Sequence, residues 1–331
     1  MPDWGENRMA NAVRFHAAGG PEVLQWEGIP QPEPGPGEIV VHHAAVGLNY
    51  IDVQFRNGSY KTSLPCTPGM EGAGTVAAVG GGVTEFAVGD RVAYAGGPLG
   101  AYATDRAIAA ERVLRLPDAI AFPTAAAMML QGMTAQYLIH RTHAVRPGET
   151  ILVHSAAGGM GLILCQWAKH LGARVIGVVS SAAKAELARA HGAAEVIVGH
   201  HDLAAEVRRL THGEMVPVVY DAVGRDTFFA SLDCLAPLGL MVSYGAASGP
   251  PPAVEVGQLQ SRGSLFLTRP TLATYTASRH DLVAAATSLF AAVESGAVGI
   301  RVNQTFPLRE AAAAHAALEA RQTTGSTVLL P

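Results

Sequence analysis

The chain has 331 residues, of which 49% are hydrophobic and 15% are charged, and its formal net charge is -4. This composition provides enough apolar surface for buried cores and is unlike that of a disordered chain, and the length predicts two domains. The weak negative charge, without a long basic run, argues against nucleic acid as the main partner.

The N-terminal segment and the cysteines give expectations about location. The segment up to Ala10 carries charged side chains around Trp4 and lacks the apolar core of a signal peptide, so we interpret it as a frayed extension. Because no stretch of about 20 uninterrupted apolar residues is present, we expect no membrane association. The three cysteines are Cys66, Cys165 and Cys234. Their odd number and wide spacing predict no disulfide framework and a reducing cytoplasm.

The part of the chain from about Val13 to Val113 is rich in short β-prone runs. Examples are Ile39 to His43, Gly74 to Val79 and Arg91 to Tyr94, and turn residues separate them. The Pro- and Gly-rich stretch from Pro30 to Gly37 precedes one of these runs and is interpreted as a long turn rather than a domain linker. The pattern predicts a mostly β domain.

From Thr150 onward, apolar strands alternate with helical patterns, which predicts βαβ units and a parallel sheet. The six predicted strands are Ile151 to His154, Arg174 to Val179, Glu195 to Val198, Val216 to Asp221, Leu240 to Tyr244 and Ser264 to Thr268. After the first strand, Leu164, Trp167 and Leu171 lie on one helical face, and Gly172 is placed to end that helix. Six parallel strands with right-handed crossovers make a doubly wound sheet.

A glycine-rich turn joins the first of these strands to its helix. Ser155 to Gly161 read Ser-Ala-Ala-Gly-Gly-Met-Gly, an A-x-G-x-x-G version of the dinucleotide fingerprint with Ala156 at the first glycine position. Gly158 would let the backbone approach a pyrophosphate, and Gly161 would let helix and strand pack closely, while the helix N-terminus offers N–H groups to the anion. A tight strand-to-helix corner is the alternative, but the six-strand context favours nucleotide binding.

The segments Gly19 to Leu24, His154 to Gly161 and Tyr220 to Thr227 resemble those of the NADPH:quinone reductases. These are zinc-independent medium-chain dehydrogenases/reductases, and they include zeta-crystallin. The similarity extends from about Ala12 to Pro331, and Ser231 to Gly245 is an especially specific match. The resemblance implies an α/β protein with a GroES-like β domain, completed by the C-terminal segment, and a Rossmann domain. The expected boundaries are residues 10–130 with 270–331 for the GroES-like catalytic domain, and 131–269 for the Rossmann NADPH-binding domain.

Proteins of this family are commonly homodimers, and the last predicted strand suggests where two copies would pair. Ser264 to Thr268 would form an apolar strand at the edge of the sheet. An unpaired apolar edge strand promotes aggregation, so we expect it to pair with the same strand of a partner.

The zinc-dependent relatives of this family hold catalytic zinc with a cysteine in the first β domain and a histidine in a Gly-His-Glu segment. In this chain, Asn49 and Met70 stand at the matching positions, and neither is a zinc ligand. Three cysteines in the whole chain also exclude a four-cysteine zinc lobe, so we predict no metal. Two histidine pairs are given ordinary strand and turn roles: His42-His43 and His200-His201.

Without zinc to polarise a carbonyl, we expect an acceptor that needs little electrophilic help, namely a small-molecule quinone or conjugated enone. The resemblance implies NADPH as the hydride donor and points to Asn49 and Tyr60 as catalytic residues. Asn49 can hydrogen-bond a ribose or a carbonyl oxygen, Tyr60 can stack on a flat ring, and Asp52 would brace the loop. The alternatives are that Asn49 and Asp52 only satisfy a turn and that Tyr60 is an ordinary loop tyrosine.

Coenzyme-binding residues are expected at the carboxyl edge of the sheet and in segments matched to the family. The expected set is Asn49, Thr134, Ala157, Gly158, Gly159, Met160, Gly161, Ser180, Lys184, Val223, Tyr244, Gly245, Arg269 and Arg321. Thr134 could instead serve only to start a helix, and Arg269 and Arg321 could be solvated surface charges.

NADPH is favoured over NADH by the residues that follow the second strand of this sheet. NAD-specific domains place an acidic residue there, whereas this chain has Ser180 and Ser181, with Lys184 one turn later. Nothing repels a 2′-phosphate, and a cation is available to it. One departure weakens the argument, because Gly199 stands where the resembled family often carries a tyrosine near the adenine ribose.

The sequence is also compatible with two other functions. An alkenal or enoyl reductase of the same superfamily would use the same coenzyme on a different acceptor, and the sequence does not separate the two. An RNA-binding or structural role, known for some zeta-crystallins, is disfavoured by the acidic charge balance.

Overall fold

The structure is a computed structural model that describes residues 9–331. It forms two compact units, one made of residues 9–131, 276–290 and 300–331 (unit 1) and one made of residues 132–275 and 291–299 (unit 2). The expected frayed extension lies outside the described residues except for Met9 and Ala10. There the expectation is wrong, because both residues belong to a strand and are paired with Pro30 and Ile29.

The strands are β1 (Met9–Arg14), β2 (Gln25–Pro30), β3 (Glu38–Leu48), β4 (Glu71–Val79), β5 (Arg91–Ala95), β6 (Asp105–Ala109), β7 (Leu114–Arg115), β8 (Thr150–His154), β9 (Arg174–Val179), β10 (Ala193–Val198), β11 (Val216–Asp221), β12 (Leu235–Ser243), β13 (Phe266–Thr268), β14 (Val302–Pro307) and β15 (Ser326–Leu330). The helices are α1 (Tyr50–Arg56), α2 (Phe122–Ala126), α3 (Met129–Tyr137), α4 (Gly159–His170), α5 (Ala182–Ala190), α6 (Leu203–Leu210), α7 (Phe228–Leu232), α8 (Val256–Ser261), α9 (Leu272–Tyr275), α10 (Arg279–Glu294) and α11 (Ala311–Glu319). Short 3-10 turns lie at Pro21–Val23, Ala110–Arg112 and Leu308–Glu310, and a π-helical turn spans Leu138–Thr142.

Unit 1 is built on a mostly antiparallel sheet. Its strand order is β14-β15-β3-β4-β5-β7, with β6 on β3, and β1 and β2 form a separate pair in the described chain. β15 near the C-terminus pairs with β3, so the end of the chain completes the sheet begun near its start. In β3, His42 is exposed and His43 is buried, because successive side chains of a strand face opposite sides of the sheet. The mostly β character predicted for this region is confirmed.

Unit 2 contains the parallel sheet. In the described residues its strand order is β10-β9-β8-β11-β12-β13, and every neighbouring pair is parallel. β9 is buried on both faces, as its run of β-branched and small residues requires in a sheet covered by helices. Leu152, Ile176 and Met241 from three strands form its core with residues of α6 and α7. The predicted α/β architecture, a GroES-like β domain with a doubly wound six-stranded Rossmann sheet, is confirmed.

Some predicted boundaries are wrong for local reasons. The last strand begins at Phe266 instead of Ser264, because Ser264 has a φ of 59°, a left-handed backbone that cannot continue a strand. β12 begins at Leu235 and ends at Ser243, so Tyr244 follows the strand. By contrast, α4 ends where predicted, since Gly172 has a φ of 85° just after the helix.

None of the helices in residues 9–331 is both long and apolar enough to cross a bilayer.

Candidate functional site

The sheet of unit 2 has its switch in strand order between β8 and β11. From β8 the chain moves outward through β9 and β10 on one side, and from β11 it moves outward through β12 and β13 on the other. In open parallel sheets, ligands bind beyond the carboxyl ends of the strands at this point. The glycine-rich turn follows β8 directly and leads into α4, so the predicted strand–turn–helix context of Ala157, Gly158, Gly159, Met160 and Gly161 is present.

Two glycines of this turn have different steric surroundings. A Cβ on Gly161 would overlap the carbonyl oxygen of Ser155 and come within 2.7 Å of Ala156 Cα, so this glycine is required for close packing of the turn. A Cβ on Gly158 would meet a single neighbour, Ser155 O, at 3.3 Å, and the residue has an extended backbone. Gly158 is the N-cap of α4 and has no side chain to cover the first-turn N–H groups, so they can bind an anion. The turn therefore fits a dinucleotide pyrophosphate.

The loops after β11 and β12 approach each other closely. Asp221 ends β11, and its Oδ1 accepts hydrogen bonds from the backbone N–H groups of Val223 (2.7 Å) and Gly224 (3.0 Å). A Cβ on Gly245 would come within 2.7 Å of Ala222 Cα, so the two loops touch through backbone atoms. This places Val223, Tyr244 and Gly245 at the carboxyl edge of the sheet.

Arg269 follows β13 and reaches back to the same edge. Its Nη1 donates to the carbonyl oxygens of Ser243 (3.2 Å) and Gly245 (3.0 Å). The guanidinium therefore braces the end of β12, which is more than the solvated surface charge considered from the sequence.

Ser180, Ser181 and Lys184 lie where β9 passes into α5. Ser181 is the N-cap of α5, and its hydroxyl accepts a hydrogen bond from the backbone N–H of Lys184 at 3.4 Å. Ser180 is exposed and Lys184 is half-buried. At the end of the neighbouring strand β10, Gly199 has a φ of 83° and leads into the exposed turn that carries His200 and His201.

Thr134 lies in the middle of α3, not at its start. The sequence alternative of a helix-start role is therefore wrong, because the helix begins at Met129. Thr134 is buried, and its side chain hydrogen-bonds the hydroxyl of Tyr137 one turn later. Tyr137 in turn stacks on Tyr275 with ring centroids 4.2 Å apart.

Asn49 and Asp52 stand at the start of α1 in unit 1. Asn49 is the N-cap, and its backbone N–H donates to Asp52 Oδ2 at 2.9 Å, which is one half of a capping box. The expectation that Asp52 braces the loop is confirmed by this bond. Burial raises the pKa of Asp52 to about 7, although the hydrogen bonds from Asn49 and Tyr102 act in the opposite direction.

The Asn49 side chain is held by two other polar residues. Its Nδ2 donates to Glu71 Oε2 at 2.6 Å, and its Oδ1 accepts from Gln131 Nε2 at 3.0 Å. The backbone N–H of Leu130 donates to the other oxygen of Glu71 at 2.8 Å. Asn49 is 5% exposed and Glu71 is fully buried, so the amide has one fixed orientation. One N–H of Asn49 remains for a further partner, since its oxygen also faces the backbone N–H of Asp52 in the capping box.

Glu71 was not selected from the sequence as a functional residue. Burial raises the pKa of Glu71 to about 8, against the opposing effect of the hydrogen bonds from Asn49 and Leu130. Gly47 is required beside it, since a Cβ at that position would lie 2.5 Å from Glu71 Oε2. The available sequence signal was its position next to Met70 in the segment that zinc enzymes use for a ligand.

Behind Asp52 runs a series of hydrogen-bonded polar side chains, of which Tyr102, His315 and Arg56 are buried. The Tyr102 hydroxyl donates to Asp52 Oδ2 at 3.2 Å and lies 3.0 Å from His315 Nε2. Arg56 Nη1 lies 3.3 Å from His315 Nδ1, and the guanidinium makes two 2.8 Å bonds to Glu319. Burial lowers the pKa of His315 to about 3, so it is neutral and accepts from Arg56 at Nδ1. This series of hydrogen bonds fixes α11 to the loop that carries Asn49.

Tyr60 and Arg321 are the remaining site residues expected in unit 1. Tyr60 lies beyond α1, is 38% exposed and has its ring centroid 5.5 Å from that of Phe55. Arg321 lies just after α11, is exposed and has a φ of 58°. The structure brings Asn49 together with Glu71 and Gln131, but gives Tyr60 no part in that network of hydrogen bonds in the described chain.

The positions matched to zinc ligands have other roles. Asn49 binds Glu71, and the backbone carbonyl of Met70 accepts from Gly96 N–H at 2.9 Å. In residues 9–331 no group of three or more His, Cys, Asp or Glu side chains could hold a metal ion. His42 pairs with Asp105 on the exposed face, whereas His43 is buried between Ala103 O and the Tyr94 hydroxyl, as their strand roles predicted.

Comparison with known proteins places this geometry in a family. Residues 35–150 match the model of the alcohol dehydrogenase GroES-like domain, and residues 159–291 match that of the zinc-binding dehydrogenase. A quinone oxidoreductase of Pseudomonas aeruginosa is 54% identical to the chain over 98% of its length and 100% of the relative. The chain belongs to the quinone oxidoreductase family. The family resemblance inferred from the sequence is confirmed.

Within the quinone oxidoreductase family, solved structures match the whole fold. The structure of the Escherichia coli quinone oxidoreductase in complex with NADPH has a TM-score of 0.95 and 46% identity, and the match covers 97% of this chain and 100% of that one. A 2-haloacrylate reductase of Burkholderia is 45% identical over 98% of this chain and 99% of the relative.

Proposed function

We propose that the protein is an NADPH-dependent oxidoreductase that reduces quinones or related conjugated carbonyl compounds without a zinc ion. The observation that carries this proposal is the uncapped glycine turn at the switch point of the unit 2 sheet, in a chain 46% identical to a quinone oxidoreductase solved with NADPH. When bound, NADPH supplies the hydride.

Coenzyme binding is assigned to unit 2. The first-turn N–H groups of α4 would receive the pyrophosphate, with Gly158 leaving room for it and Met160 and Ala157 beside it. Thr134, Val223, Tyr244, Gly245 and Arg269 are proposed as further coenzyme-binding residues, with Ser180 and Lys184 at the adenosine end.

Asn49 is proposed as the residue of unit 1 that orients a ribose hydroxyl or the acceptor carbonyl. Its remaining N–H can donate to either partner, and Glu71 with Gln131 holds the amide in place. Tyr60, with its exposed ring, is proposed to stack on a flat acceptor, and Arg321 to contact the 2′-phosphate. Because Asn49 and Met70 stand in place of zinc ligands, no Lewis acid polarises the carbonyl, so the acceptor must accept negative charge easily, as quinones and enones do.

The 45% identity to a 2-haloacrylate reductase supports a second candidate, reduction of an activated carbon–carbon double bond. Oxidation of NADPH, followed by its absorbance with benzoquinones, naphthoquinones, 2-haloacrylate, enals and simple ketones, tests both candidates. We expect quinones to give the highest kcat/KM and simple ketones to give none. A preference for 2-haloacrylate or enals would favour the second candidate, and radical detection would distinguish one-electron from two-electron reduction.

The same assay tests the absence of zinc. Because Asn49 and Met70 occupy the ligand positions, we expect activity to survive chelation and elemental analysis to find no stoichiometric zinc. Loss of activity on chelation with recovery on adding zinc would overturn this part of the proposal.

The proposed assembly is a homodimer that pairs β13 with the same strand of a second copy. Phe266 and Leu267 are 59% and 38% exposed on this edge strand, and Leu238 and Val256 of unit 2 are also exposed. The proposed location is the cytoplasm, since the three cysteines are all buried free thiols, as a reducing compartment allows.

A further inference from the structure

A buried hydrogen-bond bridge joins the carboxyl ends of the two central strands of unit 2. His154 is the last residue of β8 and Asp221 the last residue of β11, and Ser231 of α7 lies between them. Ser231 Oγ is 2.9 Å from His154 Nε2 and 2.9 Å from Asp221 Oδ2. All three side chains are at most 1% exposed.

Asp221 is the member of this bridge that accepts the most hydrogen bonds. Besides Ser231, its Oδ2 accepts from the Thr227 hydroxyl at 2.7 Å, and its Oδ1 accepts from two backbone N–H groups of the following loop. Four donors on one buried carboxylate leave it little freedom. The conformation of the loop from Ala222 to Thr227 is therefore set by this side chain.

The bridge has the residue types of a hydrolytic triad but not its order. A nucleophilic serine would need the histidine between itself and the aspartate, whereas here the serine lies in the middle. The single hydroxyl proton of Ser231 is used for Asp221, since a carboxylate can only accept. His154 then donates from Nε2–H, in agreement with a pKa lowered by burial, which keeps the ring neutral.

The position of the bridge on the sheet shows which two loops it connects. β8 and β11 are neighbours through the pairs Val219–Leu152 and Tyr220–Val153, and strand order switches between them. His154 leads directly into Ser155, which has a φ of 51° and begins the glycine turn. Asp221 leads directly into the loop of Val223 and Gly224. Each end of the bridge is thus the anchor of one loop at the switch point.

We propose that the Ser231-centred bridge is a positioning device for the coenzyme, which fixes the two loops after β8 and β11 at the separation that a dinucleotide requires. This inference rests on the proposed NADPH binding and adds His154, Asp221 and Ser231 as positioning residues. The bridge acts through the loops and touches no reacting atom.

Removal of the Ser231 hydroxyl leaves the buried His154 N–H without an acceptor and relaxes both loops. In Ser231→Ala we expect the Kd for NADPH, measured by equilibrium fluorescence titration, to rise about tenfold, on the scale of one lost buried hydrogen bond. Steady-state kinetics should show a raised KM for NADPH, with kcat at saturating NADPH and the KM for the quinone unchanged. His154→Gln, which keeps an N–H near the Nε2 position, should retain more affinity than His154→Leu.

Thr211→Ala is the matched control, because it also removes a buried hydroxyl of unit 2. Thr211 lies at the amino ends of the strands, opposite the carboxyl ends that carry the bridge. Thr211 Oγ1 donates to Val207 O at 2.8 Å and accepts from Met215 N–H at 3.0 Å, just before β11 begins. We expect this variant to lower the thermal midpoint as Ser231→Ala does, while the Kd for NADPH stays within about twofold.

The outcomes separate this inference from the proposed function. If the unmodified protein binds no NADPH, the proposed function fails and the inference fails with it. If it binds NADPH but Ser231→Ala binds equally well, or if Thr211→Ala loses as much affinity, the bridge is only structural and the inference alone is overturned. Should Ser231→Ala not fold, the comparison of His154→Gln with His154→Leu decides, and equal affinities would overturn the inference.

Discussion

Lys184 lies in the first turn of α5, after the second strand of the nucleotide-binding sheet. A 2′-phosphate there would gain a charge-assisted contact of about 1.5–3 kcal/mol, which is about tenfold or more in affinity. We therefore expect Lys184→Ala to remove most of the preference for NADPH over NADH, measured as the ratio of kcat/KM values.

Lys169→Ala is the control for this prediction, since Lys169 is exposed at the carboxyl end of α4. It should leave the coenzyme preference unchanged. Equal efficiency of the unmodified protein with NADH and NADPH, or a preference that survives in both Lys184→Ala and Arg321→Ala, would contradict the assignment of the phosphate site.

Glu71 gives a prediction about pH because burial raises its pKa from 4.5 to about 8. The folded state binds this proton more tightly than the unfolded chain, so the stabilisation is fully present below about pH 4.5 and is lost as the pH rises towards 8. Asp52, with a pKa raised to about 7, acts with the same sign. The free energy of unfolding should therefore fall between pH 5.5 and pH 8 by more in the unmodified protein than in Glu71→Gln.

Denaturant titrations at the two pH values measure this difference. The contributions of the other titrating groups to the free energy of unfolding are the same in both proteins and cancel. Glu71→Gln should be less stable at both pH values, because an amide N–H₂ would oppose one of the donors Asn49 Nδ2 and Leu130 N–H. Parallel pH profiles for the two proteins would show that Glu71 does not titrate in this range.

At the scale of elements, the glycine turn predicts two different defects from two similar substitutions. Gly158→Val should keep the fold, because only Ser155 O lies near its Cβ and the backbone is extended, but it should abolish NADPH binding by covering the helix N-terminus. Gly161→Ala should instead destabilise the fold by about 1–3 kcal/mol, since its Cβ would overlap the backbone of Ser155 and Ala156.

Thermal unfolding without coenzyme and equilibrium titration with NADPH separate these two effects. A Gly158→Val protein that binds NADPH normally would refute the placement of the pyrophosphate. A Gly161→Ala protein of normal stability would show that the turn can relax, so close packing would not be the reason for this glycine.

Elements also show where sequence patterns are reliable. β9 and β11 have the predicted bounds, and both are rich in the β-branched residues that favour strands. β13 is shorter than predicted because Ser264 adopts a left-handed backbone, a conformation that a serine does not predict. The sequence predicts a helix start near Thr134, whereas α3 begins five residues earlier at Met129 and follows α2, so Thr134 lies inside the helix.

For the whole molecule, the exposed edge strand predicts the state of assembly. We expect a homodimer at micromolar concentration by light scattering, and we expect Phe266→Lys to convert it to a monomer because a charge would lie on the proposed interface. Val198→Lys is the control, since Val198 is 52% exposed on β10 at the opposite edge of the same sheet. A monomeric unmodified protein, or a Phe266→Lys dimer, would rule out this interface.

The sequence by itself determined the two-part architecture, the six-stranded sheet and the glycine turn. These features depend on neighbours in the chain, because the period of apolar residues and the presence of glycine act over a few positions. The family resemblance added the coenzyme, the acceptor class and the replacement of the zinc ligands by Asn49 and Met70.

Only the tertiary structure decided which buried polar groups meet. Asn49 and Glu71 are 22 positions apart, and Ser231 and His154 are 77 apart, so no local pattern pairs them. Each group must find a hydrogen-bond partner once it leaves water, but packing of the sheets chooses which partner that is. For this reason the candidate residues that depend on local backbone were found from the sequence, whereas the residues that hold them in position were not.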